Sequence, residues 1–327
     1  MNNELQALLT PENENTVLKY VSKDLKNNFY LFFRYFWKQI EFAELIDNWH
    51  IKYLCNELEK ASKRVFAGKP KLYDLVINVP PGTTKSRIFS ILFPVWAWIN
   101  KPSLKLITAS YSADLAHDFA LKSRDLMNTP EFTNMFPYFG IRNDRNRISK
   151  YENTHFGERQ SIGFLGTVTG KHADIILIDD PIKANDVFSK TKRENANRII
   201  SHTLASRKRD NKVTLTILIM QRLHRNDPTA EFLKRPSIKH ICLPGIANNK
   251  VKPRELKRFY NNGLLDKNRL DEEVLETKRA ELGSYGFFAQ IEQNPTDAEK
   301  AIFKEKYWKR AAYIPDGYKI QVWDTAF

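Results

Sequence analysis

The sequence predicts an α/β fold built on a mostly parallel sheet flanked by helices, with a helical region before the sheet and a small lid or linker region after it. Three observations carry that expectation. Short runs of apolar and β-branched residues recur from residue 72 onward, and segments of helical periodicity lie between most of them. The first run also passes straight into a Pro-Pro-Gly turn that ends in Lys-Ser. Strands alternating with helices imply parallel pairing, because a parallel crossover needs a long connection that a helix supplies.

In chain order, residues 1–70 read as helical and charged. Aromatics crowd the stretch from Phe29 through Tyr30, Phe32, Phe33, Tyr35 and Phe36 to Trp37, the texture of helices packing on a core. The strand candidates are 72–79, 104–109, 161–166, 174–178, 213–220 and 238–243. Several are continuously apolar rather than alternating, so their strands are expected to be covered on both faces. Helices are expected over 112–127 and 188–206. Residues 248–271 break the pattern with turn residues and charge, and read as a boundary or a mobile insertion. Short helical pieces follow around 271–282 and 284–292, and a last strand begins in QVWDTAF and stops at Phe327. The expected division is a helical region (1–70), an α/β core (71–247), a lid or linker (248–312) and the first strand of a further domain (313–327).

Composition narrows the class. With 327 residues, 42% hydrophobic and 28% charged, a substantial core is attainable. Fifty-two basic against 38 acidic side chains leave a formal charge of +14. That excess favours a polyanionic partner, nucleic acid before membrane. The longest nearly apolar run, Ile88 to Ile99, is 12 residues and contains Ser90 and Pro94, short of the ~20 a spanning helix needs. The N-terminal stretch lacks a basic segment followed by an apolar one, so no secretion is expected and the cytoplasm is the expected location. Cys55 and Cys242 are too few for a disulfide framework or a cysteine-rich zinc site.

The chemistry concentrates at strand ends. Pro80, Pro81, Gly82, Thr83, Thr84, Lys85 and Ser86 follow the first strand and precede a helix-like segment, the order of a phosphate-binding loop. In such a loop backbone amides cradle phosphates, the Lys reaches the β/γ oxygens and the hydroxyl binds Mg²⁺. The pattern is imperfect, since Val79 and Thr84 stand where its glycines belong, and a plain strand-to-helix turn is the alternative. Asp179 and Asp180 close the strand 174–178. In nucleotide hydrolysis the first of such a pair holds Mg²⁺ and the second orients water; Asp-Asp-Pro is also good turn sequence. Gln221 and Arg222 follow the strand 213–220, where an arginine can sense or stabilise a phosphoryl group or simply face solvent. His224 and Asp227 have no further metal-ligating residue near them in sequence.

These segments come in an order that resembles a known family. Trp49-His50, VPPGTTKS (79–86), ITASYSADLAHDF (107–119), SRDLMNTPEF (123–132), TGKHADIILIDDPIK (169–183), LIMQRLHRND (218–227) and FFAQIEQNPT (287–296) together resemble the large subunit of a tailed-phage terminase. The resemblance runs from about residue 45 to the end. It implies a P-loop NTPase core of the additional-strand class followed by a ribonuclease-H-like nuclease domain, with ATP and Mg²⁺ as cofactors. Its partners would be double-stranded DNA, a terminase small subunit and a portal protein, and the packaging form a homo-oligomer. By position, Lys85 and Ser86 match the Walker A lysine and hydroxyl, Asp179 the Mg²⁺ carboxylate, and Asp180 the place where many members have Glu. Gln221 and Arg222 fall on the coupling motif, and His50 on an adenine-side motif, though Trp49 and His50 equally suit a core. Members that carry an arginine in the loop differ from this chain, which leaves Arg87, Arg222 or a neighbouring subunit as its source. Asp324 matches the first nuclease metal ligand, and the chain ends three residues later. The expectation is therefore an ATPase motor whose nuclease site is incomplete and inactive. A nuclease fragment, or a nucleic-acid-binding P-loop protein without hydrolysis, are the alternatives.

A basic segment offers a surface for DNA. Residues 183–212 hold nine cations (Lys183, Lys190, Lys192, Arg193, Arg198, Arg207, Lys208, Arg209, Lys212) against Asp186, Glu194 and Asp210. A solvated face is the ordinary reading of such a run; a tracking surface that touches phosphates without reading bases is the other.

Overall fold

The computed structural model describes residues 14–164, 172–203 and 205–296. The chain divides into two compact units, Met1–Thr296 and Asp297–Phe327. All described residues belong to the first, so the strand expected over 313–327, with Asp324, lies outside them.

Helices α1 (Glu14–Asn27), α2 (Phe29–Tyr35), α3 (Trp37–Ile40) and α4 (Trp49–Phe66) open the chain. Asn28 caps α2, its side chain accepting the Leu31 N–H at 3.0 Å. The aromatic run turns inward as its spacing suggests: Phe29, Phe32, Phe33 and Phe36 are wholly buried, each contributing about 1.5–3 kcal/mol. Phe29 meets the rings of Phe93 and Trp96 at 5.7 and 5.1 Å, which anchors the helical region to the α/β core.

The sheet has eight strands: β1 (Asp74–Asn78), β2 (Lys105–Ser110), β3 (Ile141–Arg147), β4 (Lys150–Asn153), β5 (Glu158–Gly163), β6 (Ile175–Asp179), β7 (Leu215–Met220) and β8 (Ile238–Cys242). Their spatial order is β3-β4-β5-β2-β6-β7-β1-β8. From β5 to β8 every pairing is parallel. Placing β7 between the loop strand β1 and the carboxylate strand β6 makes this the additional-strand arrangement. Side chains alternate between two cores, as the pleat requires. Leu75 and Ile77 join the larger apolar cluster with Leu177, Ile217 and Ile219, while Val76 joins the other with Ile176, Ile178 and Leu218. Both faces are therefore covered, which is why these strands are apolar throughout.

Helices α5 (Phe93–Asn100) and α6 (Ala113–Met127) contribute to the first face; α7 (Pro130–Met135) adds Phe132 and Met135 to the same cluster. Helices α8 (Lys190–Arg198) and α9 (Pro228–Phe232) contribute Ala196 and Phe232 to the second. A last helix, α10 (Glu272–Gln290), breaks at Gly283, where φ is 62° and ψ 174°, which accounts for the two helical pieces read from the sequence. No helix among the described residues is long and apolar enough to cross a membrane. The antiparallel ribbon β3–β4 was not expected. Its first strand, IRNDRNR, has one apolar residue and is mostly exposed, so backbone pairing forms it without a hydrophobic signal.

Candidate functional site

The loop after β1 combines two left-handed positions. Gly82 has φ 79° and Thr84 φ 67°. Thr84 occupies one of the glycine positions of the phosphate-loop pattern and adopts a backbone suited to glycine, at a cost of about 1–2 kcal/mol for a residue with a Cβ. Val79, at the other glycine position, is a wholly buried core residue. The loop is braced from within, where the Thr83 hydroxyl donates to Pro80 O at 2.7 Å. It is braced from behind by His50, whose Nε2 lies 3.3 Å from Thr83 O. Burial holds His50 neutral, lowering its pKa to about 4. The ring has no exposed surface, so contact with an adenine would require it to leave this seat.

Lys85 opens the following helical segment, whose next turn, Arg87–Leu92, is π-helical. Such turns are rare and recur at functional sites. The Lys85 ammonium lies 2.5 Å from Asp180 Oδ2. Asp180 itself sits at φ 44°, held by its N–H to Ile219 O and by its carbonyl accepting the Tyr111 N–H. Asp179 ends β6 in register with Ser110 on β2 and Ile219 on β7. It is 1% exposed. Its Oδ2 accepts the Ser90 hydroxyl at 2.7 Å, while Oδ1 is buried without a partner. Burial first, and then the charge of Asp180, push its pKa up to about 6, against the pull of Lys85 and of the hydrogen bond from Ser90.

Unpartnered buried oxygens gather along this edge. Ser110 Oγ at the end of β2, Asp179 Oδ1 at the end of β6 and Gln221 Oε1 just past β7 all lack a hydrogen bond. Each such group costs about 1–3 kcal/mol if left unpaired. Three at the carboxyl ends of neighbouring parallel strands mark the place where such sheets take ligands. The structure thus brings Lys85, Ser86, Asp179 and Asp180 together. It adds Ser90 and Ser110, which the sequence reading passed over; the available signal was a polar residue interrupting or closing an apolar run.

The arginines are committed elsewhere. Arg222 Nε donates to Asp227 Oδ2 at 2.9 Å and its Nη2 to His224 O at 3.3 Å. Asp227 is wholly buried and also caps α9 through the Ala230 N–H. The guanidinium therefore holds a turn, while the Arg222 N–H donates to the Gln293 side chain at 2.8 Å. Arg87 pairs with Glu41 at 2.8 Å. His224 Nδ1 accepts the Asn226 N–H, and no group of three metal-ligating side chains occurs among the described residues. Two cations of the basic segment are withdrawn from its surface: Lys208 is paired to Asp74, and the buried Arg193 donates to Val187 O. Arg209, Lys192 and Lys190 meet Asp174, Asp186 and Glu194 but stay exposed.

Among solved structures the chain is similar to the large terminase of bacteriophage HK97, with 14% identity and a TM-score of 0.45 over 72% of this chain and 49% of that one. It is similar to the large terminase ATPase domain of Thermus phage P74-26, with 11% identity and a TM-score of 0.41 over 68% and 89%. A third likeness is to the large terminase of a thermophilic bacteriophage in complex with ATP-γ-S, with 10% identity and a TM-score of 0.38 over 71% and 50%. The chain spans about half the length of the HK97 protein that it matches. No family model and no curated protein matches the sequence.

Proposed function

We propose that this chain is the ATPase motor part of a tailed-phage terminase large subunit, hydrolysing ATP to ADP and phosphate to drive double-stranded DNA into a procapsid. One observation carries the reading: Lys85 of a phosphate-type loop stands against adjacent carboxylates at a parallel-sheet edge, and Asp179 keeps one buried oxygen unpartnered. That oxygen fits a cation. Ser86 and Asp179 would hold Mg²⁺, which when bound neutralises charge on the β/γ-phosphate oxygens.

The remaining steps belong to the chain's own groups. Lys85 now neutralises Asp180; phosphate oxygens offer its ammonium another partner, and its transfer to them releases the Asp180 carboxylate. Freed, Asp180 accepts a hydrogen bond from the attacking water and orients it. His50 and Thr83 keep the loop amides in place. The Arg222 N–H joins the end of β7 to the segment after α10 through Gln293, a route by which nucleotide state reaches the lid region. Arg222 is engaged by the buried Asp227, which leaves Arg87, in an exposed pair with Glu41, or a neighbouring copy as the source of the transition-state arginine; one supplied by a neighbour is worth about 10³–10⁵ in rate. The host cytoplasm, the small subunit and the portal complete the setting that the resemblance implies.

A second reading, nucleotide binding without hydrolysis, is favoured by the Lys85–Asp180 ion pair, which closes the phosphate seat until it opens. One experiment separates the two. Phosphate release is measured with Mg²⁺-ATP, with and without duplex DNA, for the natural chain and for Lys85→Ala. The motor reading expects turnover that rises with DNA and vanishes in the variant. Turnover indistinguishable between the two proteins would remove it, and nucleotide binding with no turnover would leave the second reading.

A further inference from the structure

The largest buried charge outside the loop is Arg159, and the motor chemistry described above does not use it. It lies on β5, wholly buried, and makes no ion pair among the described residues. Arginine stays protonated in proteins, and a charge taken out of water without a counter-charge is expensive. Here the guanidinium is satisfied by neutral oxygens. Nη1 donates to Ser123 Oγ at 2.6 Å and Tyr151 OH at 3.4 Å, Nη2 to Ser90 O at 2.7 Å and Nε to Thr108 Oγ1 at 3.4 Å.

Two of these contacts bear on one piece of backbone. Ser90 belongs to the π-helical turn, and Ser123, which Arg159 also holds, donates its own hydroxyl to Ile91 O at 2.7 Å. Arg159 thus clamps consecutive carbonyls of that turn, one directly and one through Ser123. The same Ser90 donates its hydroxyl to Asp179 Oδ2. A buried chain therefore runs from the guanidinium through Ser90 to the carboxylate, and it ends where Oδ1 is left without a partner. In an α-helical turn the extra residue per turn would be lost and the Ser90 side chain would point elsewhere around the axis.

We propose that Arg159 is a positioning residue of the nucleotide site: by holding the Arg87–Leu92 turn in its π-helical form it keeps the Ser90 hydroxyl on Asp179 Oδ2, so that Oδ1 alone is presented to the metal. The proposal rests on the function given above and deepens it. It accounts for a buried cation with no carboxylate, because what the guanidinium organises is the backbone beside the metal ligand. Partners of this kind, one bond removed from a ligand, typically cost about 10–100-fold in metal affinity or activity when lost.

The test uses the full chain and Mn²⁺ as the probe, its free-ion electron paramagnetic resonance signal reporting bound metal in the presence of ADP, with ATP turnover measured alongside. Ser90→Ala and Arg159→Met are each expected to weaken Mn²⁺ binding by about 10-fold or more, with ADP affinity in the absence of metal unchanged. Because both act through one hydroxyl, the double variant is expected to be no worse than the poorer single one, a non-additivity that general loosening does not produce. Arg159→Lys keeps the charge but not the fork that spans Ser90 and Ser123, so it is expected to bind Mn²⁺ as weakly as Arg159→Met. It also stands in for that variant if Arg159→Met fails to fold. Folded Arg159 variants that bind Mn²⁺ like the natural chain, or losses that add in the double variant, would overturn the proposal. A natural chain that binds neither ADP nor Mn²⁺ would instead remove the nucleotide-site reading itself.

Discussion

The two edges of the central sheet hold buried aspartates in opposite circumstances. At the amino edge, Asp74 accepts the Thr216 N–H at 2.8 Å and pairs with Lys71 at 2.7 Å and Lys208 at 3.5 Å. Nearby Asp174 accepts the Lys105 N–H at 2.9 Å and faces Arg209 at 3.6 Å. At the carboxyl edge, Asp179 has one oxygen on Ser90 and the other on nothing, and Asp180 rests on Lys85 with its backbone left-handed. At the amino edge the charges find their partners within the chain, and one buried hydroxyl, Thr216 Oγ1, is left without a hydrogen bond. The carboxyl edge stores cost in unpaired oxygens and in the positive φ of Thr84 and Asp180, as expected where a ligand completes the bonding. Which edge works and which merely holds is visible in that contrast.

The contrast breaks most visibly in activity. Lys85→Ala is expected to bring ATP turnover to background, and Asp180→Asn to cut it by about 10²–10⁴-fold, the usual worth of a positioned acid–base group. Asp180→Asn keeps an acceptor for Lys85 and should leave the thermal midpoint close to that of the natural chain, whereas Lys85→Ala leaves Asp180 without its partner and should lower it. Phosphate-release assays beside melting curves check this; a large loss of stability in Asp180→Asn would place that residue among the structural ones.

Asp74→Ala should do the reverse. Removing one partner of a buried charge cluster costs about 3–5 kcal/mol, because Lys71 and Lys208 lose their counter-charge. Urea unfolding should show that loss, while nucleotide affinity of the folded fraction holds. A drop in affinity at constant stability would mean that the two edges are not separable in this way.

A pH titration sharpens the comparison further. Burial and the neighbouring Asp180 raise Asp179 in the folded chain to about 6 from the ordinary carboxyl value of 3.8. Between those values the folded protein holds a proton that the unfolded chain has released, so metal-free stability rises as pH falls through about 6 and the gain is complete below the unfolded value. Asp179→Asn should flatten that part of the profile, as should saturating Mg²⁺. Denaturation midpoints across pH 4–8 read the effect directly; an unchanged slope in the variant would assign the titration to another group.

The smallest effect is expected at Thr84. Thr84→Gly relieves a positive φ worth about 1–2 kcal/mol and incurs about 0.5–1 kcal/mol in backbone entropy. A net gain of up to about 1.5 kcal/mol with nucleotide binding retained is the expected result. A clear loss in chemical denaturation would show that the threonine side chain earns its place in the loop.

Much of this was legible along the chain. The continuous apolar runs of β1, β6 and β7 announced strands buried on both faces, and the aromatic spacing around Phe29 announced a buried helix face, because burial is written directly into side-chain chemistry. Lys85, Asp179 and Asp180 stood out because residues at strand ends are close in sequence to strong local signals. The β3–β4 ribbon was not legible, since the side chains of β3 stay mostly in water and those that β4 buries are, apart from Tyr151, polar. Nor were the partners of the arginines. Whether Arg222 faces a nucleotide or Asp227, and whether Lys208 lies open or on Asp74, depends on what another part of the chain brings beside it.

By itself, then, the sequence determined the alternation of strands and helices, the placing of a phosphate-type loop after the first strand and of carboxylates after another, and the excess of positive charge. Tertiary structure alone decided that β7 lies between those two strands, that His50 braces the loop from behind, and that Arg159 reaches Asp179 through Ser90. The physical reason is one of range. Propensity and hydrophobic period act over a few residues, whereas a hydrogen bond in a dry interior is made between groups that the sheet brings together from far apart in the chain, such as Arg159 and Ser90, 69 residues apart.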